Sequence, residues 1–300
     1  MNIRTFLQNL NKTTISYEAN ATLANLTTFK IGGLADVIVY PTTAAQLLEL
    51  AKMRLLYNVP YIIIGGGSNI LISDEGFRGL VIAPRLQSLT VQNNTLKSGA
   101  SVGLQQLIQF AAKNGLSGLE HLVGIPGSVG GALAGNAGTA HKWINASVSS
   151  LTAINFKTAT EQQFTEKECQ YGYRTSIFKN SDLRIIAEGT FVLQPKPILE
   201  IHSLMKEYLS KRNKQPSGNA CAGCIFKNPE EITAGRLIDE LGLKGKKIGQ
   251  AQISQDHGNF FVNLGNARAT DIIKLISYVK QQARDKRRIQ LQEEIRYIGF

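Results

Sequence analysis

The sequence lacks several features that would assign a function at once. No apolar run approaches the roughly 18 residues of a membrane span, and the N-terminal residues contain no apolar secretion signal. Only three cysteines occur among 300 residues, too few for a disulfide framework. We therefore expect a cytoplasmic protein that does not insert into a membrane.

Two nucleotide-binding fingerprints are also missing. The chain contains no GxxxxGK[ST], which excludes a P-loop, and no GxGxxG between a strand and a helix, which leaves a Rossmann domain unsupported. The formal charge of +11 is spread along the chain, apart from Lys244–Lys247 and Arg284–Arg288, without a zinc-finger or single-strand-binding signature. We therefore expect no nucleic-acid partner, and the basic surface can instead attract small polyanions.

What the sequence does contain is two glycine-rich loops. Gly65–Asn69 reads GGGSN and follows the strand-like Tyr61–Ile64, and Gly127–Gly138 reads GSVGGALAGNAG. Glycine lets consecutive backbone amides approach an anion, although tight turns in a β-rich fold would also use glycine. The residues predicted to contact a phosphorylated cofactor are Gly65, Gly66, Gly67, Ser68, Asn69, Gly127, Ser128, Gly130, Gly131 and Asn136.

Hydrophobic periodicity predicts an α+β protein. A capping box from Thr43 to Gln46 marks one helix start, and Thr270 is predicted to cap another. Helices are predicted over 44–57, 104–113, 202–211 and 271–288, and strands over 61–64, 80–83, 89–96 with a turn at Asn93-Asn94, 148–156, 183–193 and 295–298. Residues 214–223 are turn-rich. Pro195 and Pro197 suggest a domain boundary, which predicts an N-terminal segment 1–27 and domains 28–196 and 197–300.

Further motifs surround the glycine loops in a fixed order. They are Thr28–Gly33 (TFKIGG), Gly124–Gly131 (GIPGSVGG), Tyr171–Lys179 (YGYRTSIFK), Gly223–Pro229 (GCIFKNP) and His257–Asn263 (HGNFFVN). The series resembles the vanillyl-alcohol-oxidase (PCMH) type of FAD-binding domain and, from about Leu26 onward, the UDP-N-acetylenolpyruvoylglucosamine reductase (MurB) family. The short Phe178–Leu183 connection resembles the compact subtype without an extra tyrosine-bearing loop. The resemblance implies a PCMH-type FAD-binding domain and a smaller C-terminal α/β substrate-binding domain.

The resemblance also implies a reaction. Enzymes of this family reduce UDP-N-acetylglucosamine enolpyruvate to UDP-N-acetylmuramate in peptidoglycan synthesis, with FAD as cofactor and NADPH as co-substrate. NADPH reduces FAD, and the reduced flavin then gives a hydride to the methylene carbon of the substrate. Negative charge develops beside the substrate carboxylate, and a proton must then reach the adjacent carbon. We expect such an enzyme to be a monomer.

Three residues match the catalytic positions of the family. Arg174 matches the arginine that braces the substrate carboxylate, for which a planar guanidinium is well suited. Glu294 matches the C-terminal acid, in preference to its neighbour Glu293. Cys224 stands where the family most often has the proton-donating serine. A thiol has a reference pKa of about 8.5, so it is still mostly protonated at neutral pH and keeps the role of donor.

Other positions are less specific. The resemblance implies substrate contacts from Tyr173, Lys227, Asn228 and His257, although His257 can equally be structural. Cys221-Ala-Gly-Cys224 reads as CxxC but has no second pair of ligands for zinc and no thioredoxin-like context, so we expect no metal.

Two other functions stay open at this point. One is a FAD-dependent sugar or alcohol oxidase of the same cofactor-binding fold, in which His141 could tether the flavin covalently. The other is a basic binding protein that has kept a flavin fold without activity. The presence of Arg174, an acid at position 224 and Glu294 together argues against the second.

Overall fold

The computed structural model describes residues 3–139, 142–179, 181, 183–212 and 220–300. His141, residues 214–219 of the predicted turn-rich segment, and two residues of the predicted Phe178–Leu183 connection lie outside this description. The chain forms two compact units. Unit 1 comprises Met1–Ala19, Val37–Gly66 and Gly79–Arg212, and unit 2 comprises Asn20–Asp36, Gly67–Arg78 and Asn213–Phe300. The predicted boundaries at residues 28 and 197 do not coincide with the ends of these segments, so they remain a prediction.

The described residues form helices and strands in a mixed order, which confirms the α+β class. The helices are α1 Ile3–Leu10, α2 Ala44–Tyr57, α3 Leu104–Lys113, α4 Val129–Ala134, α5 Ile198–Ser210, α6 Ala234–Glu240 and α7 Ala269–Arg287. The strands are β1 Ser16–Thr22, β2 Leu34–Tyr40, β3 Tyr61–Ile63, β4 Ile70–Ile72, β5 Phe77–Ile82, β6 Leu89–Gln92, β7 Thr95–Gly99, β8 Leu116–Ser117, β9 Val148–Asn155, β10 Thr160–Thr165, β11 Arg184–Val192, β12 Gln194–Pro195, β13 Ala220–Cys224, β14 Lys247–Ile248, β15 Ala251–Ile253, β16 Phe260–Asn263 and β17 Arg296–Ile298. None of the described helices is long and apolar enough to cross a membrane.

Unit 1 is organised around an antiparallel sheet with strand order β10-β9-β11-β7-β6. The predicted turn joins β6 to β7, and Asn93 adopts the left-handed conformation with φ 53° that such a turn requires. A second sheet has the order β1-β2-β5-β3, in which β3 runs parallel to β5. Apolar side chains from α2, α3, β9 and β11 form one buried core, so the unit has the hydrophobic interior of an independent domain.

Unit 2 has its own core and a smaller antiparallel sheet, β13-β16-β15-β14. Helix α7 buries Ile272, Leu275, Ile276 and Val279, as the helical spacing of apolar residues predicts. The C-terminal strand β17 pairs in parallel with β4. The last strand of the chain therefore returns to the segment that directly follows the first glycine loop.

Helix starts show where local signals suffice and where they do not. At α2, the Thr43 hydroxyl accepts a hydrogen bond from the Gln46 amide at 3.1 Å, so the predicted cap is confirmed. At α7 the predicted Thr270 cap is wrong, because the helix begins at Ala269, two residues earlier than predicted, with Arg268 as its N-cap. The carboxylate of Asp74, 195 residues away in sequence, accepts from the amides of Ala269 at 2.8 Å and Thr270 at 3.2 Å. A distant carboxylate thus satisfies amides that a local cap would otherwise serve.

Two other predicted segments need correction. The helix expected over 202–211 begins at Ile198, directly after Pro197, and belongs to unit 1. Proline is well tolerated at a helix start because its fixed φ suits the first turn. The described end of the turn-rich segment, residues 220–223, is part of strand β13 rather than a turn. Pairing with β16 holds these residues extended despite their small side chains.

Candidate active site

The two glycine loops meet in unit 1. A Cβ atom on Gly66 would lie 2.8 Å from both the Cα of Gly127 and the amide nitrogen of Ser128, and one on Gly65 would lie 3.0 Å from the Ser128 hydroxyl oxygen. The backbones therefore touch where no side chain could fit between them. The structure brings Gly65, Gly66, Gly127 and Ser128 into one small-residue surface, as the sequence predicts.

Backbone amides on this surface are available to an anion. Within the described part of the chain, the amides of Gly65, Gly66, Gly127 and Ser128 donate to no backbone carbonyl. An unsatisfied amide favours an anionic acceptor, and several adjacent ones form an anion-binding concavity. The glycine surface of unit 1 therefore fits the diphosphate of a bound FAD.

The backbone amides of Gly130 and Gly131, two further predicted cofactor contacts, already donate hydrogen bonds within the protein. The Gly130 amide donates to the Ala100 carbonyl at 2.8 Å, and a Cβ on Gly130 would lie 2.8 Å from the Ala100 side chain. The Gly131 amide donates to the Ser128 hydroxyl at 3.3 Å, which caps α4. These glycines allow close packing and helix capping, so their direct contact with a cofactor stays a prediction.

Residues 67–69 of the first loop lie in unit 2. Gly67 has φ 63°, and a Cβ there would collide with the Leu26 carbonyl, so the turn requires glycine. Ser68 is half-buried. The Asn69 side-chain amide donates to the Glu294 carbonyl at 3.1 Å, and the Asn69 backbone carbonyl accepts from the Arg296 amide at 3.0 Å. Asn69 thus joins the glycine loop to the segment that carries the predicted catalytic acid.

Asn136 has a role that its place in a glycine motif does not reveal. It is 2 % exposed, and its side-chain amide donates to the Gly172 carbonyl at 3.0 Å. Its side-chain oxygen accepts from the Asn145 amide at 3.3 Å. Both ends of the side chain are therefore used within unit 1. A cofactor contact by this side chain would require one of these bonds to be exchanged.

The Gly172 carbonyl, which accepts the hydrogen bond from Asn136, belongs to a two-residue turn. Gly172 and Thr175 exchange backbone hydrogen bonds at 3.1 and 3.3 Å, with Tyr173 and Arg174 at the tip. Arg174 has φ 56°, the left-handed region, at the turn position that glycine or asparagine normally occupies. Tyr173 is 47 % exposed. An arginine held in a strained turn by a buried asparagine is typical of a functional side chain that the fold orients.

Cys224 and Glu294 are brought together in unit 2. Cys224 ends β13, and the Glu294 amide donates to the carbonyl of the next residue, Ile225, at 2.7 Å. The pairing continues with a bridge between Phe226 and Glu293 and with the Lys227 amide on the Gln292 carbonyl at 2.9 Å. The two predicted catalytic residues of unit 2 therefore lie on adjacent extended segments, although 70 positions separate 224 from 294 in the sequence. Arg174 lies in the other unit.

Glu293, the neighbour of the predicted acid Glu294, forms an ion pair within unit 2. The carboxylate of Glu293 accepts from the Lys280 ammonium of α7 at 2.9 Å. Glu293 is thereby engaged with a structural helix of its own unit. The choice of Glu294 as the functional acid, made in the sequence from the hydrophobic residue that follows, stays a prediction.

The predicted substrate contacts of unit 2 also have structural contacts. The Asn228 side-chain oxygen accepts from the Ala234 amide at 3.0 Å, at the start of α6. The His257 ring packs on Phe260 at 4.9 Å, and its Nδ1 accepts from the Asn259 amide at 3.2 Å. Burial, with the nearby Lys244 ammonium, lowers the pKa of His257. Lys227 is half-buried.

Burial disfavours the thiolate form of Cys169 and Cys221. Among the described residues, no group of three or more His, Cys, Asp or Glu is placed to hold a metal ion. Burial raises the pKa of the Cys221 thiol, although the Gly223 backbone partly offsets it. Burial likewise raises the pKa of Cys169 to about 11, and its thiol donates to the Thr165 carbonyl at 3.2 Å. Raised pKa values oppose the thiolate form that metal binding and disulfide exchange require.

Sequence reasoning missed two residues that shape unit 2. Thr28 stands out in the sequence only as part of the TFKIGG motif, yet its hydroxyl donates to the Cys221 carbonyl at 2.6 Å. The Asn259 side chain accepts from the Phe226 amide at 2.9 Å and donates to the Phe226 carbonyl at 2.8 Å. Both lie inside motifs quoted for the resemblance. Their polar side chains among apolar neighbours were the available signal.

Comparison with family models identifies both parts of the chain. Residues 35–162 match the FAD binding domain model, and residues 215–298 match the model of the UDP-N-acetylenolpyruvoylglucosamine reductase C-terminal domain. The first match falls within the predicted domain 28–196 and the second within 197–300. Phl p 4.0202, a glucose dehydrogenase, has a TM-score of 0.52 at 14 % identity over 65 % of this chain and 44 % of its own, which indicates a shared fold alone.

Relatives extend the likeness over almost the whole chain. The chain is 40 % identical over 286 residues to the UDP-N-acetylenolpyruvoylglucosamine reductase of Bacillus subtilis (strain 168), covering 94 % of this chain and 93 % of that protein. It is 40 % identical over 283 residues to the reductase of Geotalea uraniireducens (strain Rf4), with 93 % of each chain covered. The crystal structure of the enzyme (MurB) from Thermus caldophilus superposes with a TM-score of 0.82 at 35 % identity, over 95 % of this chain and 99 % of that one. This chain therefore belongs to the UDP-N-acetylenolpyruvoylglucosamine reductase family.

Proposed function

We propose that the protein is a FAD-containing, NADPH-dependent oxidoreductase that reduces UDP-N-acetylglucosamine enolpyruvate to UDP-N-acetylmuramate in peptidoglycan synthesis. The observation that carries the proposal is the 40 % identity to a reductase of this name over 94 % of the chain. The meeting of the two glycine loops at Gly66 and Gly127 supports it independently, because that surface fits a diphosphate.

FAD would be held mainly by backbone atoms. The amides of Gly65, Gly66, Gly127 and Ser128 would donate to its diphosphate oxygens, and no side chain intrudes between these two segments. When bound, FAD supplies the capacity to accept a hydride from NADPH and to pass it on. Contacts from Gly67, Ser68, Asn69, Gly130, Gly131 and Asn136 are part of the same proposal.

Arg174 would bind the carboxylate of the enolpyruvyl group. Its guanidinium is permanently charged and forms paired hydrogen bonds to two oxygens. The developing enolate places negative charge on those oxygens, so the interaction strengthens as the reaction proceeds. The left-handed backbone of Arg174, with φ 56°, supports this role because such strain is usually retained for function.

Cys224 and Glu294 would supply the proton that completes the reduction of the substrate. The Cys224 thiol would give its proton to the carbon that carries the carboxylate, and the resulting thiolate would be reprotonated from solvent. The Glu294 carboxyl, on the segment paired with Ile225, would hold a proton near the developing charge. Tyr173, Lys227, Asn228 and His257 are proposed to contact the UDP-sugar.

The substrate class is tested by NADPH oxidation at 340 nm with and without the UDP-enolpyruvyl sugar. We expect sustained turnover only when that sugar is present. Denaturing the protein should release all of the yellow flavin into the supernatant, whereas a covalently tethered oxidase would retain it. Oxygen consumption with simple sugars or alcohols, without the UDP-sugar, would contradict the proposal and favour an oxidase.

The remaining properties are proposed on the same basis. We propose domains over 28–196 and 197–300, a cytoplasmic location, no membrane insertion, no nucleic-acid partner and a monomeric state. Light scattering coupled to gel filtration should give the 32.8 kDa of a single chain plus its flavin. A mass of about twice that value would reject the monomer.

A further inference from the structure

Thr28 lies at a junction of three segments of unit 2. Its hydroxyl donates to the Cys221 carbonyl at 2.6 Å, and its amide donates to the Gly67 carbonyl at 3.1 Å. Gly67 belongs to the first glycine loop, and Cys221 lies three positions before the proposed proton donor. A single residue of the TFKIGG motif therefore binds both the loop and the strand that carries Cys224.

The strand that Thr28 holds is irregular at that point. Cys221 pairs with Val262 and Cys224 pairs with Phe260, so three steps along β13 correspond to two along β16. The extra residue is a β-bulge, and Gly223 within it has φ 71°. A bulge redirects the side chains next to it. The direction of the Cys224 side chain therefore depends on how the two ends of the bulge are held.

One end of the bulge is fixed by the sheet. The Ile225 amide donates to the Asn259 carbonyl at 2.9 Å, and the Asn259 side chain makes two hydrogen bonds to the backbone of Phe226. The other end, Cys221, pairs with Val262 on one side only, because β13 is the edge strand in the order β13-β16-β15-β14. An edge strand offers backbone groups on one side without a strand partner. Thr28 supplies a donor to one of them, the Cys221 carbonyl.

The segment around Thr28 is itself firmly anchored. The Phe29 side chain is fully buried in the core of unit 2, together with Ala222 and Ile225. The Phe29 carbonyl accepts from the Asn263 side-chain amide at 2.9 Å. The adjacent Thr27 hydroxyl is 3.2 Å from each of two carbonyls of its own turn. Thr28 therefore holds Cys221 from a fixed point.

We propose that Thr28 is a positioning residue for Cys224, because its hydroxyl fixes the bulge that directs the thiol. The proposal rests on the proposed proton-donor role of Cys224 for its catalytic consequence. Its geometric part, the orientation and environment of the thiol, can be measured without turnover.

The test compares Thr28→Val, which removes the hydroxyl at nearly constant shape, with Thr28→Ser, which keeps it. Thr22→Val is the matched control, because it removes an exposed threonine hydroxyl of unit 2 that lies 3.5 Å from the Gly32 carbonyl and does not reach β13. Each change is made in full-length, FAD-loaded protein with Cys221→Ala, so that Cys224 is the thiol of β13 that reacts. The first readout is the rate of iodoacetamide alkylation of Cys224 between pH 6 and 9, followed by peptide mass spectrometry.

We expect Thr28→Val to change the alkylation rate about threefold or more and to shift the midpoint of its pH profile, because loss of one hydrogen bond frees the bulge. Thr28→Ser and Thr22→Val should match the parent. In single-turnover experiments with wild-type cysteines, Thr28→Val should slow product formation about tenfold, as misplacement of a reacting group does. NADPH-driven bleaching of the flavin should stay unchanged. If Thr28→Val does not retain flavin, Thr28→Ala, which also lacks the hydroxyl, is measured in its place.

Unchanged alkylation in Thr28→Val, with only a lower melting temperature, would overturn the proposal and leave Thr28 a structural residue. Equal effects of Thr28→Val and Thr22→Val would also overturn it. If Cys224→Ala turned over like the wild type, the donor role in the proposed function would fail. The alkylation profiles would then still decide whether Thr28 positions the thiol.

Discussion

Arg174 and Cys224 are presented by the protein in contrasting ways. Arg174 sits at the tip of a two-residue turn in unit 1, in a left-handed conformation with φ 56°. Cys224 ends an extended strand in unit 2 beside a bulge, where pairing with β16 and Asn259 holds the backbone. In each case a polar side chain from a distant small-residue motif, Asn136 or Thr28, also binds a nearby carbonyl. A strained turn is held by a few contacts, whereas a paired strand is held by hydrogen bonds along its length.

The largest expected effect concerns the proton. Cys224→Ala should slow product formation by about 10²–10⁴-fold, the usual contribution of a general acid, while NADPH-driven flavin bleaching stays near normal. Cys224→Ser should restore substantial turnover, because a hydroxyl can occupy the same position. Stopped-flow absorbance separates the two half-reactions. A wild-type rate of product formation in Cys224→Ala would show that the Cys224 thiol takes no part in the reaction.

The adjacent glutamates provide a matched pair within the same segment. Glu294→Gln should slow product formation by about 10²-fold through loss of acid or electrostatic assistance. Glu293→Gln should leave it within about threefold, because its partner Lys280 lies on a structural helix and a partly exposed ion pair contributes little. The same stopped-flow assay measures both. A reversed order would move the functional acid to position 293.

Asn136 tests how strongly the Arg174 turn depends on one anchor. Asn136→Gly keeps the left-handed backbone available but removes the donor to the Gly172 carbonyl, so product formation should fall about tenfold through misplacement of Arg174. Asn114→Gly is the control, because Asn114 also donates to a carbonyl, that of Phe110, at the end of α3. We expect a larger change in kcat than in the FAD content. Equal losses in both variants would indicate a general effect on unit 1.

One histidine in each unit makes the stability of the protein sensitive to acid. Burial, with nearby Lys142, lowers the pKa of His121 in unit 1 from 6.5 to about 4, and burial also lowers that of His257 in unit 2. Below pH 6.5 these histidines bind protons in the unfolded chain but stay neutral in the folded chain. The free energy of unfolding therefore falls as the pH drops from about 6.5 toward 4.

His121 alone should account for about 2 kcal/mol of this loss at pH 5. Urea unfolding at pH 7.5, 6 and 5 should show a smaller acid loss for His121→Phe than for the wild type. The exposed His202 provides the control variant His202→Gln, which should keep the wild-type slope. The same acid loss in His121→Phe would mean that other groups cause it.

The smallest effects have opposite signs in the two regions. Arg174→Gly should be more stable than Arg174→Ala by about 1 kcal/mol, because alanine keeps the left-handed strain and glycine relieves it. Cys224→Gly should be less stable than Cys224→Ala by about 0.5–1 kcal/mol, because glycine loses more freedom in a strand. Thermal melts of the four variants test both signs. Equal signs would show that turn and strand do not differ in strain.

Local patterns in the sequence predicted much of the fold and of the cofactor loops. The capped helix after Thr43, helix α3 and the hairpin at Asn93 follow from caps, apolar spacing and turn residues that lie within a few positions of one another. The start of α7 did not, because its amides bind Asp74 from a distant segment. The small-residue content of β13 likewise suggested a turn, and only pairing with β16 makes it a strand.

The sequence by itself determined the family, the two glycine loops and the identity of Arg174, Cys224 and Glu294 as the residues to examine. These are properties of residue type and order. Only the tertiary structure decided that Asn136 supports the Arg174 turn, that Asn69 and Ile225 hold the Glu294 segment, and that Thr28 holds the Cys224 strand. The physical reason is that these hydrogen bonds join groups far apart in the chain. Their partners are selected by packing around two separate cores, which no local pattern encodes.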